Sequence, residues 1–197
     1  LHLAALISIP YSYHSPDTYV ETNIKGTLNV VQAARDLNVT KVIHTSTSEV
    51  YAGTLKHFQL PIPTPEQTAL AITALDQPRT SYMLSKIVGE AMCHQSGVPF
   101  TIFRPHNVYG PRMGMAHVVP EQLKNAWVAE EGDSLPVYSA THKRTFCYID
   151  DAVVIAAPVA NLVLGIAHAP GDIFRCRPRT RGEPRFQGFH ARRQHEH

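Results

Sequence analysis

Apolar positions recur along this chain in two rhythms, one helical and one extended. Val20, Ile24, Leu28 and Val31 lie near one face of a helix over Asp17 to Leu37, and Ala33, Ala34 and Leu37 continue it. Ser15-Pro16-Asp17 supplies a start signal for that helix. Lys41 to Ser46 follows as a short apolar strand that ends in hydroxyls. Residues 52–79 carry Pro61, Pro63, Pro65 and Pro78, which break any periodicity and predict a long surface excursion. Thr80 to Gln95 is a second helix, and Pro99 to Arg104 a strand of the buried type. Helix, strand, helix, strand in this order predicts a parallel α/β sheet. Further on, His117 to Ala129 reads as a helix and Leu135–Tyr138 and Thr145–Ile149 as short strands. Asp150-Asp151 then opens an apolar helical stretch.

Both ends break the pattern. Leu1-His2-Leu3-Ala4-Ala5 reads as a strand end with no lead-in, so a natural N-terminus upstream is expected. After about His168, Arg175, Arg177, Arg179, Arg181 and Arg185 crowd together with Pro178 and Pro184, and apolar periodicity ceases. That composition reads as a disordered or non-native tail rather than a packed segment.

Composition narrows the classes further. With 197 residues, 44% hydrophobic and 17% charged, the chain has the makings of one globular domain. A net charge of +2 gives no ground for a polyanion or membrane-surface partner. Ala152 to Ala169 comes nearest to a spanning stretch, but Pro158 and Asn161 interrupt it. Cys93, Cys147 and Cys176 are odd in number and lack metal spacing, so they read as reduced thiols of a cytoplasmic protein.

The chemistry concentrates at Tyr82-Met83-Leu84-Ser85-Lys86. A Tyr and a Lys four apart on a helix project from one face. A free phenol titrates near ~10 and is a poor base at neutral pH. A cation beside it favours the phenolate, and a gap of ~3 units corresponds to roughly 4 kcal/mol. A hydroxyl from the Thr45-Ser46-Thr47-Ser48 strand end could bond the same reacting oxygen. Such a set can move a proton on and off an alcohol while hydride leaves its carbon.

Five segments in order then resemble the extended short-chain dehydrogenase/reductase family, the NAD-dependent nucleotide-sugar epimerases and dehydratases. The resemblance covers roughly residues 1–155. His2-Leu3-Ala4-Ala5 resembles the strand end that lies along the cofactor, which implies Leu3, Ala4 and Ala5 as cofactor contacts. Thr22 to Asn29 resembles the family's long helix, with Asn23 its cofactor-side or structural polar residue. Gly26 in a helix interior is disfavoured by ~1 kcal/mol against Ala, which suggests close packing. Thr45 to Tyr51 resembles the catalytic strand end. Thr47 matches the catalytic hydroxyl, Thr45 the cofactor side, Ser48 a substrate contact and Glu49 an acid/base. The Ser48-Glu49 pair is similar to that of nucleotide-sugar decarboxylases and a subset of 4,6-dehydratases. Tyr82 and Lys86 match the base and its helper, both touching cofactor. Arg104 to Arg112 resembles the turn after the next strand, with Pro105 and His106 beside the nicotinamide and Asn107 on the sugar nucleotide. Arg144 to Asp151 resembles a segment whose Arg144 clamps a diphosphate.

The resemblance implies a partial Rossmann-like doubly wound parallel sheet with an incomplete C-terminal substrate-binding region. Residues 1–112, with 145–167, would form the partial NAD-binding domain, 113–144 part of the substrate region, and 168–197 the tail. It implies NAD as cofactor, a nucleotide-diphosphate sugar as substrate, a homodimer through the 17–37 and 80–97 helices, and no metal, nucleic acid or membrane partner. The glycine-rich turn that would hold the pyrophosphate is not found in the sequence. A piece of a longer enzyme, itself inactive, is the expectation. A noncatalytic NAD(P)-binding sensor or scaffold of the same fold is the alternative. An Arg-driven nucleic-acid module and a lipid- or steroid-type dehydrogenase stand further off.

Overall fold

The structure is a computed structural model, and it describes residues 1–58, 60, 63–72, 74–77, 79–137, 144–154 and 172–174. Its centre is a parallel sheet. Strand β1 (Val42–Thr45) pairs with β2 (Phe100–Phe103), Val42 opposite Phe100 and Thr45 opposite Phe103. On the far side of β1, His2 forms a parallel bridge to His44. Both strands are short, β-branched or aromatic in the main, and almost wholly buried, as a strand covered on both faces requires. Numbered last in chain order, β5 (Asp172–Phe174) lies parallel against β2. The sequence reading placed that stretch in the tail and is corrected at these three residues. Two apolar residues among charges are too few to register as a strand pattern. The rest of 168–197, and the 155–167 part of the assigned cofactor domain, lie outside the described residues.

The first helical region keeps its predicted span but not its predicted face. It begins with α1 (Ile9–Ser12) and α2 (Pro16–Tyr19), passes through a wide π-type turn over Val20–Lys25, and continues as α3 (Gly26–Asp36). The buried line is Tyr19, Asn23, Thr27, Val31 and Ala34. Val20 and Leu28, expected inside, are 46% and 37% exposed. The wide turn accommodates residues four apart on one line where an α-helix would drift, so the inner face is set by Asn23 and Thr27 rather than by the apolar count. Gly26 closes the wide turn by donating to the Glu21 carbonyl. A side chain there would meet nothing nearer than 3.9 Å, so the close packing expected of it does not occur.

Helix α4 (Ala52–His57) occupies the start of the excursion, and the remainder lacks regular structure where described. Thr54 ties the excursion down, donating to the Ala69 carbonyl and accepting from the Ala71 amide, each at 2.8 Å. Helix α5 (Thr80–His94) crosses the sheet, and packs on α2, α3, β1 and β2. Close approach is needed at Gly89, where a Cβ would come within 2.9 Å of the His44 ring. The apolar core lies between these layers: Val31, Ala34, Val42, Cys93, Val98, Phe100 and Ile102.

A smaller pair, β3 (Val108–Tyr109) and β4 (Cys147–Tyr148), extends beyond β2 and packs with Phe103 and Ala152. Helix α6 (Val118–Val128) buries no residue, and Trp127 is 88% exposed. Residues 135–137 form no strand, and Tyr138 lies outside the described residues. Cys93 is free and buried as expected. Cys147 is buried as well, and Cys176 lies outside the described residues.

Candidate active site

The site is built where β1 and β2 end. Just past the sheet, Ser46 N–H donates to Phe103 O at 2.7 Å and Ser48 N–H to Pro105 O at 3.1 Å. The two chain exits therefore run side by side. Thr47, between those bonds, caps a short 3-10 turn (Ser48–Tyr51), and its Oγ1 accepts from the Glu49 amide at 3.3 Å. That cap aims the hydroxyl inward, and Thr47 is only 9% exposed.

Helix α5 brings Tyr82 and Lys86 to the same place. Their side chains are 6% and 5% exposed, one turn apart on one face. The Thr47 hydroxyl lies close enough to the Tyr82 phenol to favour its ionised form. Lys86 Nζ donates to the Thr45 carbonyl at 2.9 Å. Tyr19 packs edge-on against the Tyr82 ring, with centroids 6.1 Å apart. Burial pushes the Tyr82 phenol above its usual value; the Thr47 hydroxyl opposes this, and Glu49 and Tyr19 add to the rise. The expectation that the lysine lowers this phenol is thus not met. Desolvation dominates, and the lysine ammonium is turned to a carbonyl instead. Burial brings Lys86 itself down to about 8, against a smaller upward pull from Glu90. Two histidines adjoin it. His44 is held near 3 chiefly by burial, then by the charge of Lys86, and His2 is lowered by the same two causes in the same order.

Sequence reasoning missed the side chains that lock this arrangement. Arg104 donates from Nε and Nη2 to the two oxygens of Glu90, at 2.8 and 2.5 Å. Ser46 donates to the same Glu90 carboxylate. Arg104 also donates to the Tyr51 hydroxyl at 2.5 Å and to the Glu66 carbonyl at 3.2 Å. One buried guanidinium and one buried carboxylate thus join both strand exits, the 3-10 turn and α5. Glu90 stands one turn beyond Lys86, and that spacing was the available signal.

The remaining expected residues divide. Asn23 is structural: its side chain accepts from Leu6 N–H at 2.8 Å, donates to Leu6 O at 3.0 Å and reaches Ser85 Oγ at 3.0 Å. It thereby holds the segment after Leu3, Ala4 and Ala5, of which Leu3 is 64% exposed. Thr45 uses its carbonyl for Lys86, and its buried hydroxyl has no partner. Pro105 and His106 sit partly buried just past β2. Asn107 adopts a left-handed backbone, φ 40°, and donates to the Thr145 carbonyl at 2.9 Å, so it fastens β4 to β3. Arg144 is exposed, and no contact given by the structure brings it to the Tyr82 group. An apolar groove of about 440 Å³ runs along α6, lined by Val118, Leu123, Leu135 and Phe146 among others, and shares no lining residue with the site.

A sequence profile of the NAD dependent epimerase/dehydratase family matches residues 1–163, which include every residue of this cluster. The chain belongs to that family. Among curated members, it is 36% identical over 159 residues to UDP-N-acetyl-alpha-D-glucosaminuronate decarboxylase of Bacillus cytotoxicus, covering 77% of this chain and 46% of that protein. It is 30% identical over 155 residues to UDP-glucuronate 4-epimerase of Thermodesulfobacterium geofontis, covering 77% and 44%. The chain thus spans about half the length of the curated relatives it matches. Among solved members, UDP-glucuronic acid 4-epimerase of Bacillus cereus, in complex with UDP-glucuronic acid and NAD, superposes with a TM-score of 0.62 at 28% identity, covering 89% of this chain and 52% of that one. Family members are Rossmann-fold proteins, and the parallel β1–β2–β5 sheet flanked by α3 and α5 is that architecture in part. Among the described residues, no helix is long and apolar enough to cross a membrane.

Proposed function

We propose that this chain carries the catalytic group of an NAD-dependent enzyme that oxidises a nucleotide-linked sugar at C4. The observation that carries this is the burial together of Thr47 and Tyr82, the hydroxyl near enough to act on the phenol, with Lys86 one turn away. The residues fit the nicotinamide half of the cofactor. The cluster lies beyond the carboxyl ends of parallel strands, where such folds take ligands. The Thr45 hydroxyl there is buried with no partner, and Leu3, Ala4 and Ala5 leave an open strip alongside His2. In this reading Leu3 to Ala5, Thr45, Lys86, Pro105 and His106 hold the nicotinamide end. NAD, when bound, supplies the hydride acceptor and a positive charge near the phenol.

The chain's own residues do the proton work. Tyr82 as phenolate takes the C4 hydroxyl proton while the C4 hydride leaves. Thr47 donates to the reacting oxygen and favours the anionic phenol. Lys86 keeps positive charge within one helical turn of it. The 4-keto sugar that results has an acidified C5–H, and Glu49 serves there as acid or base. Ser48, Asn107 and Arg144 are assigned to the substrate, with the diphosphate on Arg144. A uronate is the favoured sugar class, since relatives in three organisms are named for uronates. The outcome is epimerisation, decarboxylation or dehydration. The outward apolar residues of the first helical region, Val20, Leu28 and Val30, are assigned to a homodimer contact.

NAD binding is measured by calorimetry on residues 1–197 and on the same chain preceded by a first strand and glycine turn. With a binding form in hand, UDP-glucuronate is added and reduced nicotinamide absorbance followed. A rise that Tyr82→Phe reduces by ~100-fold or more is expected. Bound NAD with no absorbance change across UDP- and dTDP-sugars would instead favour a noncatalytic NAD(P)-binding sensor.

A further inference from the structure

Arg79 stands at the start of α5, three residues before Tyr82 and therefore on the same side of the helix. Its Nη2 lies 2.9 Å from Glu49 Oε2. The two side chains are 47% and 24% exposed, so the pair sits at the open side of the site. The backbone that presents Glu49 has little freedom. Glu49 N–H is held by Thr47 Oγ1 at 3.3 Å, and Ser48 N–H by Pro105 O at 3.1 Å. With the main chain held, the direction of the Glu49 carboxylate is decided by its side-chain torsions alone. Among the described residues, Arg79 is the ion-pair partner that selects among them. Glu49 is close enough for its charge to act on Tyr82. Arg79 makes no contact with Thr47, Tyr82 or Lys86 that the structure records.

We propose that Arg79 is a positioning residue that aims Glu49 at C5 of the 4-keto sugar and takes no part in hydride transfer at C4. This rests on the reading above, in which NAD has already oxidised C4. The step is a proton transfer only. The C5–H bond breaks, its electron pair becomes the C4–C5 double bond of an enolate with the charge on O4, and the proton goes to a Glu49 oxygen. Return of a proton to C5 reverses it. In heavy water the returning atom is deuterium, which marks each pass. A planar guanidinium fixes a carboxylate more tightly than an ammonium does, so lysine at position 79 should restore only part of the aim.

The test uses the NAD-binding form, UDP-glucuronate as probe, and heavy water. Two readouts are taken together: reduced nicotinamide absorbance, and deuterium at sugar C5 by mass spectrometry. Arg79→Gln is expected to leave the absorbance rate within about 3-fold and to cut C5 labelling by ~10- to 100-fold, as a small misplacement of a catalytic group does. Arg79→Lys should recover part of the labelling, and Glu49→Gln should match the loss. Unchanged labelling in Arg79→Gln overturns the inference, as does equal loss of both readouts with no recovery by lysine. Absorbance without C5 labelling in the unaltered protein also overturns it, by removing Glu49 from C5. Absence of absorbance with NAD bound defeats the parent reading, and this inference with it.

Discussion

Two Arg–Glu pairs flank the Tyr82–Lys86 stretch of α5, and they are built in opposite ways. Glu90 and Arg104 are 5% and 7% exposed, joined by two nitrogen–oxygen contacts and further bonds to Ser46, Tyr51 and Glu66. Glu49 and Arg79 share one contact at 2.9 Å and lie half in solvent. The same two functional groups thus serve different ends. In low dielectric, with nearly every donor and acceptor engaged, the inner pair sets the spacing of strand exits and helix and resists change. Near water, the outer pair contributes little to stability.

Breaking the inner pair should have the largest effect. Glu90→Gln leaves a buried guanidinium without its counter-charge, and a loss of about 3–5 kcal/mol is expected by denaturant unfolding. Replacing both partners together by Leu and Met should restore much of that loss, because no charge is then left stranded. If the single change shifts the midpoint no more than a surface substitution does, the inner pair is not the lock described here.

Lys86 lies between the two pairs and gives the next effect. Its folded value is about 8 against an ordinary 10.5, so the unfolded chain holds more protons between those values. Stability therefore rises as pH goes up through that window, by about 3 kcal/mol in full. Below about pH 8 the charged lysine is a constant burden and the contribution is flat. Lys86→Met should remove the rise, read as unfolding midpoints across the alkaline range. An identical rise in the methionine variant would assign it to other groups.

Breaking the outer pair should cost least. Arg79→Gln is expected to change stability by less than about 1 kcal/mol, with the difference fading as salt is added. A loss as large as that of Glu90→Gln would erase the distinction between the pairs.

Much of this was legible beforehand where the cause is local. Tyr82 and Lys86 face one way because helices repeat, and Val42 to Thr45 and Phe100 to Phe103 form strands because short apolar runs bounded by turns do so. The long-range pairings were not legible. Arg104 to Glu90 and Arg79 to Glu49 join residues whose charges, in sequence, resemble solvated surface. The inner face of the first helical region was misjudged for a related reason. Its buried side chains include Asn23 and Thr27, chosen by hydrogen bonds to Leu6, Ser85 and His2 that only the fold supplies. The direction of the Tyr82 shift was likewise a matter of depth, which spacing does not encode.

The wide turn at Val20–Lys25 acts as a phase shifter between two helical segments. It stores one residue more than an α-helix would use. Drawing the same residues into a regular α-helix, at unchanged length, would rotate the part beyond it by ~100°. Thr27 and Val31 would swing off the sheet, His2 would lose its hydroxyl partner, and the strip beside β1 would come loose. The width of this one six-residue turn thus decides which side chains beyond it meet the sheet.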